Sequence, residues 1–195
     1  LFTPVFLSYL LLEQDKATLC VQREAVSAEI EAHLKSDGVT LAPYDDIYRL
    51  VAALPTGTRV LLDGERANYR ILQSVPESAE VLDRTSPIQL MKAVKTPAEQ
   101  ENERLAHIKD GVAVTRFIYW LKHTIGKEPI TELSASKKLE SLRAEGEHYL
   151  EQSFDPILAY GAHGAIVHYE PTEETDIPME PRGLCLADTG VQYLE

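Results

Sequence analysis

Short apolar runs alternate with helix-length segments over the first ninety residues, and this alternation restricts the fold more than any other feature. The spacing predicts strands at 1–12, 16–21, 39–41, 59–63 and 80–82 and helices at 23–35, 44–54 and 65–72. Strands that alternate with helices pack into layers, so we expect a small α/β lobe with a largely central sheet. The first run is nearly all apolar, which favours a strand buried on both faces that forms a hairpin with the second strand.

A strong helix start marks a different region near residue 96. Thr96 can cap the helix, Pro97 suits the first helical position, and Glu99 completes a capping box. The helix predicted from there runs to about residue 125, with an apolar stripe made of Leu105, Ile108, Val112 and Tyr119. We therefore expect a domain boundary between residues 86 and 96, and we divide the chain into domains at 1–88 and 89–195.

The remainder of the chain returns to short strands. A second helix is predicted at 131–144, followed by strands at 157–160, 165–169 and 184–188, and residues 190–195 also have the pattern of a strand. The chain as a whole is thus expected to be of mixed α/β (α+β) class.

Charge and motif content exclude several classes of function. The 195 residues carry a formal net charge of −12, whereas a general nucleic-acid binder needs a basic face. The first apolar run lacks the flanks of a signal peptide and is too short and too polar to span a bilayer. Nucleophile-elbow, P-loop and dinucleotide-binding motifs are absent from the sequence. Cys20 and Cys185 lie in apolar runs, which indicates two buried free thiols and a cytosolic location.

Two polar residues end apolar runs, and each has a structural and a functional interpretation. Asp188 follows the run 184–187 and precedes a Thr-Gly turn, and a carboxylate near a packed face needs a partner. Spacing alone favours a structural role, in which Asp188 accepts backbone hydrogen bonds at that turn. His168 follows the run 165–167 and would share a strand face with Ile166. A lone strand histidine is more often structural than catalytic.

The segments around these two residues carry a family resemblance. They read SFDPILAYGAHGAIVHY at 153–169 and LADTGVQY at 186–193, with His168 and Asp188 20 positions apart. This combination closely resembles the metal-dependent Xaa-Pro aminopeptidases (aminopeptidase P), which are pita-bread peptidases like methionine aminopeptidase, prolidase and creatinase. Three further segments are similar to the cytosolic, multi-domain branch of that family: HIKDGV at 107–112, YWL at 119–121 and PVFLSY at 4–9.

The resemblance implies both a fold and a site. The fold would be a creatinase-type N-terminal lobe followed by the first half of a pita-bread catalytic domain. In that family Asp188 corresponds to the first ligand of a two-metal site, usually manganese, and His168 to a residue that contacts the substrate and stabilises the transition state. Divalent cations of this kind prefer carboxylate oxygens, and a metal pair both activates water and polarises the scissile carbonyl.

The same resemblance implies what the chain acts on and what it lacks. The substrates would be proline-containing peptides cleaved ahead of a penultimate proline, by a cytoplasmic homodimer with no nucleic-acid or membrane partner. The family's second metal-binding aspartate, its further histidine and its two glutamates fall in segments that this chain does not contain. We therefore expect an interior fragment that is inactive alone and binds metal weakly or not at all.

Two alternatives remain open at this point. A pita-bread domain without metal ligands can act as a protein-binding module, and the net charge of −12 is compatible with basic partners. A prolidase-type Xaa-Pro dipeptidase would differ on the C-terminal side of its substrate. The presence of both His168 and Asp188 favours an enzyme over the binding module.

Overall fold

The computed structural model describes residues 5–194 and divides them into two compact units. Val5–Val94 form the N-terminal unit, and the C-terminal unit begins at Lys95. Helices and strands occur in both units, which confirms the mixed α/β class. Within the described range, no helix combines the length and the apolar composition that crossing a membrane requires.

The N-terminal unit contains five strands in two sheets. Strands β1 (Ser8–Leu12), β2 (Ala17–Val21) and β3 (Val39–Pro43) form a sheet in that order, antiparallel between β1 and β2 and parallel between β2 and β3. The backbone N–H of Glu13 donates to the carbonyl of Lys16 at 2.8 Å and closes the predicted hairpin. A second, parallel pair consists of β4 (Arg59–Leu62) and β5 (Glu80–Asp83).

Four helices accompany these strands: α1 (Ala28–Ser36), α2 (Asp46–Ala52), α3 (Tyr69–Ser74) and α4 (Pro87–Ala93). The first predicted helix begins five residues late, because Ser27 caps it by accepting from the N–H of Ile30 at 3.3 Å, and Arg23–Ala25 form only a 3-10 turn. The third begins late for a similar reason, since Asn68 is its cap. Helix α4 was not predicted.

The prediction of a fully buried first strand is wrong. Its portion at residues 1–4 lies outside the described residues, and Val5, Phe6 and Leu7 are exposed and precede β1. Strand β1 is at the edge of its sheet and presents Leu10 and Leu12 to solvent. Within this sheet only β2 has a neighbour on both sides, and its Cys20 is buried with Ile47, Val51 and Ile71, whereas Tyr9 and Leu11 of the first run pack against this cluster and are only partly buried.

Among its described residues, the C-terminal unit contains two α-helices, one 3-10 helix and two antiparallel strand pairs. Helix α5 (Pro97–Thr124) has 28 residues, and α6 (Glu132–Arg143) packs against it. Strand β6 (Tyr149–Gln152), which was not predicted, pairs with β9 (Val191–Tyr193), and β7 (Ile157–Tyr160) pairs with β8 (Cys185–Asp188). The predicted capping box of α5 is confirmed: Thr96 Oγ1 accepts from the N–H of Glu99 at 3.2 Å, and the Glu99 carboxylate accepts from the N–H of Thr96 at 2.7 Å.

The core of this unit uses a different face of α5 from the one predicted. Ala113 and Phe117 are buried against residues of α6 such as Leu139 and Leu142 and against Leu158 of β7. The predicted stripe is exposed instead: Leu105, Ile108, Val112 and Tyr119. Helix α5 carries apolar residues on more than one face, so periodicity alone does not identify the face that packs.

Two further predictions in this unit are wrong. Residues 165–169 do not form a strand, because a 3-10 helix (Gly161–Ala165) leads into a turn that contains His168. Cys185 is exposed rather than buried, since β8 has solvent-exposed residues throughout its length, whereas Cys20 is fully buried as predicted.

Candidate functional site

Asp188 is the last residue of β8. It lies opposite Ile157 of β7 in the antiparallel register. Its side chain is exposed, so the expectation that its carboxylate lies against a packed face is wrong. The register places Asp188 beside the first residue of β7, and its side chain is accessible to solvent there.

His168 is the second residue that the sequence singles out. It lies in the turn after the 3-10 helix with φ = +54°, in the left-handed region. Its side chain is exposed, and because residues 165–169 do not form a strand, it does not share a strand face with Ile166. The next residue, Tyr169, is only 7% exposed, so the chain returns to the interior of the unit directly after His168.

One cavity brings His168 and Asp188 together. It has a volume of about 320 Å³ and is lined by residues of the 161–169 segment, of β7 and of β8: Ile157, Gly164, Ala165, Ile166, Val167, His168, Tyr169, Leu186 and Asp188. The lining combines an imidazole, a carboxylate and apolar side chains. A larger groove of about 1120 Å³ lies elsewhere in this unit and contains neither of the two residues.

A buried carboxylate that sequence reasoning missed lies beneath the His168 segment. Glu132, the first residue of α6, is fully buried. Its oxygens accept hydrogen bonds from the Tyr160 N–H at 2.5 Å and the Tyr169 hydroxyl at 2.7 Å, and the nearer oxygen is 3.0 Å from His163 Nδ1. The His163 and Tyr169 rings also contact each other, with centroids 4.5 Å apart. Burial and the adjacent Glu132 carboxylate raise the pKa of Tyr169 above its usual value.

A buried guanidinium binds the two residues that follow Asp188. Arg143, the last residue of α6, is 1% exposed and donates from Nε to Asp110 Oδ1 at 2.7 Å and from Nη2 to Asp110 Oδ2 at 3.2 Å. The same side chain donates to Thr189 Oγ1 at 3.1 Å and to the carbonyl of Gly190 at 3.3 Å. The two residues after Asp188 are therefore bound to α6 through Arg143.

Neither of these buried charges has a sequence signal that distinguishes it. An acidic residue in the first turn of a helix and a basic residue in the last turn are ordinary solvated partners of the helix dipole. Glu132 and Arg143 occupy those positions in the predicted helix 131–144. Their burial follows from the segments that cover them, which the sequence of α6 does not reveal.

The side chains around Asp188 do not by themselves form a metal-binding site. A carboxylate such as Asp188 is a suitable ligand for Mn²⁺ or a similar cation. Among residues 5–194, however, there is no group of three or more His, Cys, Asp or Glu side chains placed to hold a metal ion. The described residues alone do not fit a dinuclear centre, and Asp188 could contribute one ligand at most.

The fold agrees with the comparison to known protein families. Residues 1–99 match the creatinase/prolidase N-terminal domain, and residues 101–195 match metallopeptidase family M24. The chain therefore belongs to the M24 metallopeptidases that carry a creatinase-type N-terminal domain, which confirms the resemblance seen in the sequence.

Individual relatives are named as Xaa-Pro aminopeptidases. The chain is 33% identical over 199 residues to Xaa-Pro aminopeptidase 1 of Dictyostelium discoideum, a match that covers 100% of this chain and 31% of that protein. It is 32% identical over 203 residues to the probable Xaa-Pro aminopeptidase P of Sclerotinia sclerotiorum, covering 100% of this chain and 34% of the relative. The chain thus spans about a third of the length of the curated relatives it matches.

A solved structure extends the comparison to three dimensions. The X-prolyl aminopeptidase of Caenorhabditis elegans, described as a cytosolic enzyme with a di-nuclear active site, superimposes with a TM-score of 0.86 at 26% identity. The alignment covers 98% of this chain and 32% of that one.

Proposed function

We propose that this chain is part of a Xaa-Pro aminopeptidase, which hydrolyses the N-terminal peptide bond ahead of a penultimate proline. The observation that carries the proposal is the cavity of about 320 Å³ that both His168 and Asp188 line within a fold that matches family M24. The relatives named above support the reaction class, and the spacing of the two motifs supports the residue assignments.

Each of the two residues has its own role in this reaction. Asp188 would supply one carboxylate ligand to a dinuclear metal centre, preferably of Mn²⁺, and residues 5–194 contain no group of three or more His, Cys, Asp or Glu side chains placed to complete it. Such a centre, once complete, supplies an activated water and a Lewis acid. His168 contacts the peptide and stabilises the charge that develops on its carbonyl oxygen. Its exposed position on the wall of the cavity is compatible with that contact.

We further propose the substrates, the location and the assembly. The substrates are proline-containing peptides, the location is the cytoplasm, the working assembly is a homodimer, and neither nucleic acid nor membrane is a partner. We also propose a domain division at 1–88 and 89–195. Limited proteolysis followed by mass mapping would test the division, because cleavage should concentrate near that boundary.

The first test uses the 195-residue chain as it stands. We expect no cleavage of a fluorogenic Xaa-Pro peptide and no stoichiometric Mn²⁺ binding by calorimetry, because the described residues include no group of three ligands for a metal. A series of progressively longer chains, approaching the full length of the relatives, should regain peptide cleavage and Mn²⁺ binding together. Turnover by the purified 195-residue chain, sensitive to chelation, would refute the proposed inactivity.

The second test uses a longer protein that contains this chain and is active. Asp188→Asn should lower both metal content and turnover, whereas His168→Ala should lower kcat with metal content unchanged. Glu173→Gln and His123→Ala are matched controls, since both residues are exposed and lie outside the lining of the cavity. Unchanged metal stoichiometry and unchanged rate in Asp188→Asn would overturn the assignment of Asp188.

A further inference from the structure

We propose that Glu132 is the positioning residue of the candidate site, and that it holds the segment carrying His168 by binding it on both sides. This inference deepens the proposed function and rests on it, since it concerns the same site. The structural observation that supports it, a fully buried carboxylate with three partners, is independent of metal and substrate.

The Glu132 carboxylate is buried together with its hydrogen-bond partners. A buried carboxylate is very costly unless hydrogen bonds compensate for the lost hydration. Glu132 has 0% exposure, and its partners are a backbone N–H, a phenol and an imidazole nitrogen. Because a carboxylate only accepts hydrogen bonds, the contact with His163 requires a proton on Nδ1. The network is therefore specific in its donors as well as in its position.

The three donors lie on both sides of the stretch that leads to His168. Tyr160 ends β7, His163 lies in the 3-10 helix, and Tyr169 directly follows His168. Glu132 thus binds the chain at two points before the stretch 164–168 and at one point directly after it. The His163 and Tyr169 rings also contact each other. The stretch 164–168 therefore lies between His163 and Tyr169, whose side chains both bind the Glu132 carboxylate.

The backbone of His168 has an uncommon conformation that needs a restraint. Its φ of +54° is rare for a residue other than glycine. Such conformations persist where the surroundings over-determine them. Tyr169 is one residue away, 7% exposed, and bonded through its hydroxyl to Glu132 at 2.7 Å. The buried phenol supplies the restraint that keeps the neighbouring imidazole on the wall of the cavity.

Strand β7 links the His168 segment to Asp188. The N–H of Tyr160 points to Glu132, while the same residue pairs with Cys185 of β8 across the sheet. Strand β8 ends at Asp188, opposite Ile157 of β7. One carboxylate therefore fixes the His168 segment to the strand pair that sets the position of Asp188. Loss of its charge should loosen the His168 segment without unpairing β7 from β8.

The test compares Glu132→Gln with the unaltered chain by amide hydrogen exchange and by NMR of the His168 imidazole. The glutamine keeps the shape but replaces one acceptor oxygen by a donor, so at least one of the three donors loses its partner. We expect exchange in 164–168 to rise about tenfold or more, as loss of a charged hydrogen bond implies, and the His168 ring signal to shift or broaden. Exchange in β6 and β9 should change much less.

Two variants and a control keep the test sharp. Glu132→Asp retains the charge, so it should restore part of the protection of residues 164–168 from amide exchange. Tyr169→Phe removes only one hydroxyl that binds Glu132, and it replaces Glu132→Gln in the test if that variant does not fold. Glu128→Gln removes the same charge from an exposed position nearby and should change neither readout. A uniform rise in exchange across the whole unit, or no rise in 164–168, would refute the positioning role.

These measurements can fail independently of the proposed function. They use no metal, no peptide and no turnover, so an inactive or metal-free chain still gives a result. In an active longer protein, Glu132→Gln should lower kcat more than it raises KM, with metal content retained. A normal kcat in that protein, despite a loosened 164–168 segment, would overturn the role in positioning His168 for the reaction.

Discussion

Removing Asp110 should destabilise the C-terminal unit far more than removing a surface carboxylate. Arg143 is 1% exposed and donates to both oxygens of Asp110, whose side chain is 28% exposed. Asp110→Ala would leave the guanidinium buried without a counter-charge. Breaking a buried pair by removing one partner costs about 3–5 kcal/mol, and the partial exposure of Asp110 places the expected loss near the lower end, at about 3 kcal/mol.

The control for this variant is already present in the same unit. Arg116 and Glu145 form an ion pair at 2.6 Å, but their side chains are 49% and 56% exposed. Exposed pairs contribute only about 0.2–1 kcal/mol, so Glu145→Ala should have a small effect. The two variants each remove one carboxylate that pairs with an arginine, and they differ mainly in the burial of the arginine.

The assay is urea unfolding followed by the fluorescence of Trp120. Trp120 is the single tryptophan of the chain and packs against the core of the C-terminal unit, so its emission reports this unit. A double-mutant cycle with Arg143→Met isolates the pairwise energy, which should exceed about 1 kcal/mol for directly bonded residues. If Asp110→Ala costs no more than Glu145→Ala, or if the cycle shows no coupling, then the buried pair does not stabilise this unit.

Single contacts elsewhere in the chain support three other predictions. Burial and the Glu132 carboxylate raise the pKa of Tyr169 above 10.0, so its contribution to the free energy of unfolding is complete below pH 10.0 and is lost as pH rises through the folded-state pKa. Urea unfolding measured at several alkaline pH values should therefore show a smaller loss of stability with pH in Tyr169→Phe, and equal losses in the two proteins would contradict the raised pKa. Thr96→Ala removes the cap of α5 and should cost about 1 kcal/mol, seen as faster amide exchange in its first turn, whereas unchanged exchange would argue against the capping box. A thiol reagent should modify Cys185 but not the buried Cys20 in the native chain, and two reactive thiols would contradict the burial of Cys20.

Local signals in the sequence predicted the start of α5 and the β1–β2 hairpin, whereas the equally local caps Ser27 of α1 and Asn68 of α3 were missed. The start of α5 depends on Thr96 and Glu99, which bond to each other's backbone, so the sequence contains all the information needed. The β1–β2 hairpin is likewise a local structure. The resemblance of the motifs predicted the family and singled out His168 and Asp188, which the structure places on one cavity.

Predictions failed where a distant partner decides the outcome. The apolar run before Tyr169 has the pattern of a strand, but those residues turn instead above a carboxylate that lies 37 positions earlier in the chain. The stripe of Leu105 and Ile108 on α5 was expected to pack, yet Ala113 and Phe117 face α6. Burial and charge compensation of Glu132 and Arg143 depend on segments far from them in the sequence, which include Asp110 before α6 and residues 160–190 after it.

The sequence by itself determined the class of fold, the capped start of α5 and the family to which the chain belongs, because a capping box and a sequence motif each act over a few neighbouring residues. Only the tertiary structure decided which face of α5 is buried, that His168 lies in a turn, and that both ends of α6 carry buried charges beneath the two candidate residues. The physical reason is that burial and charge compensation depend on which distant segments cover a side chain, and no local pattern records those segments.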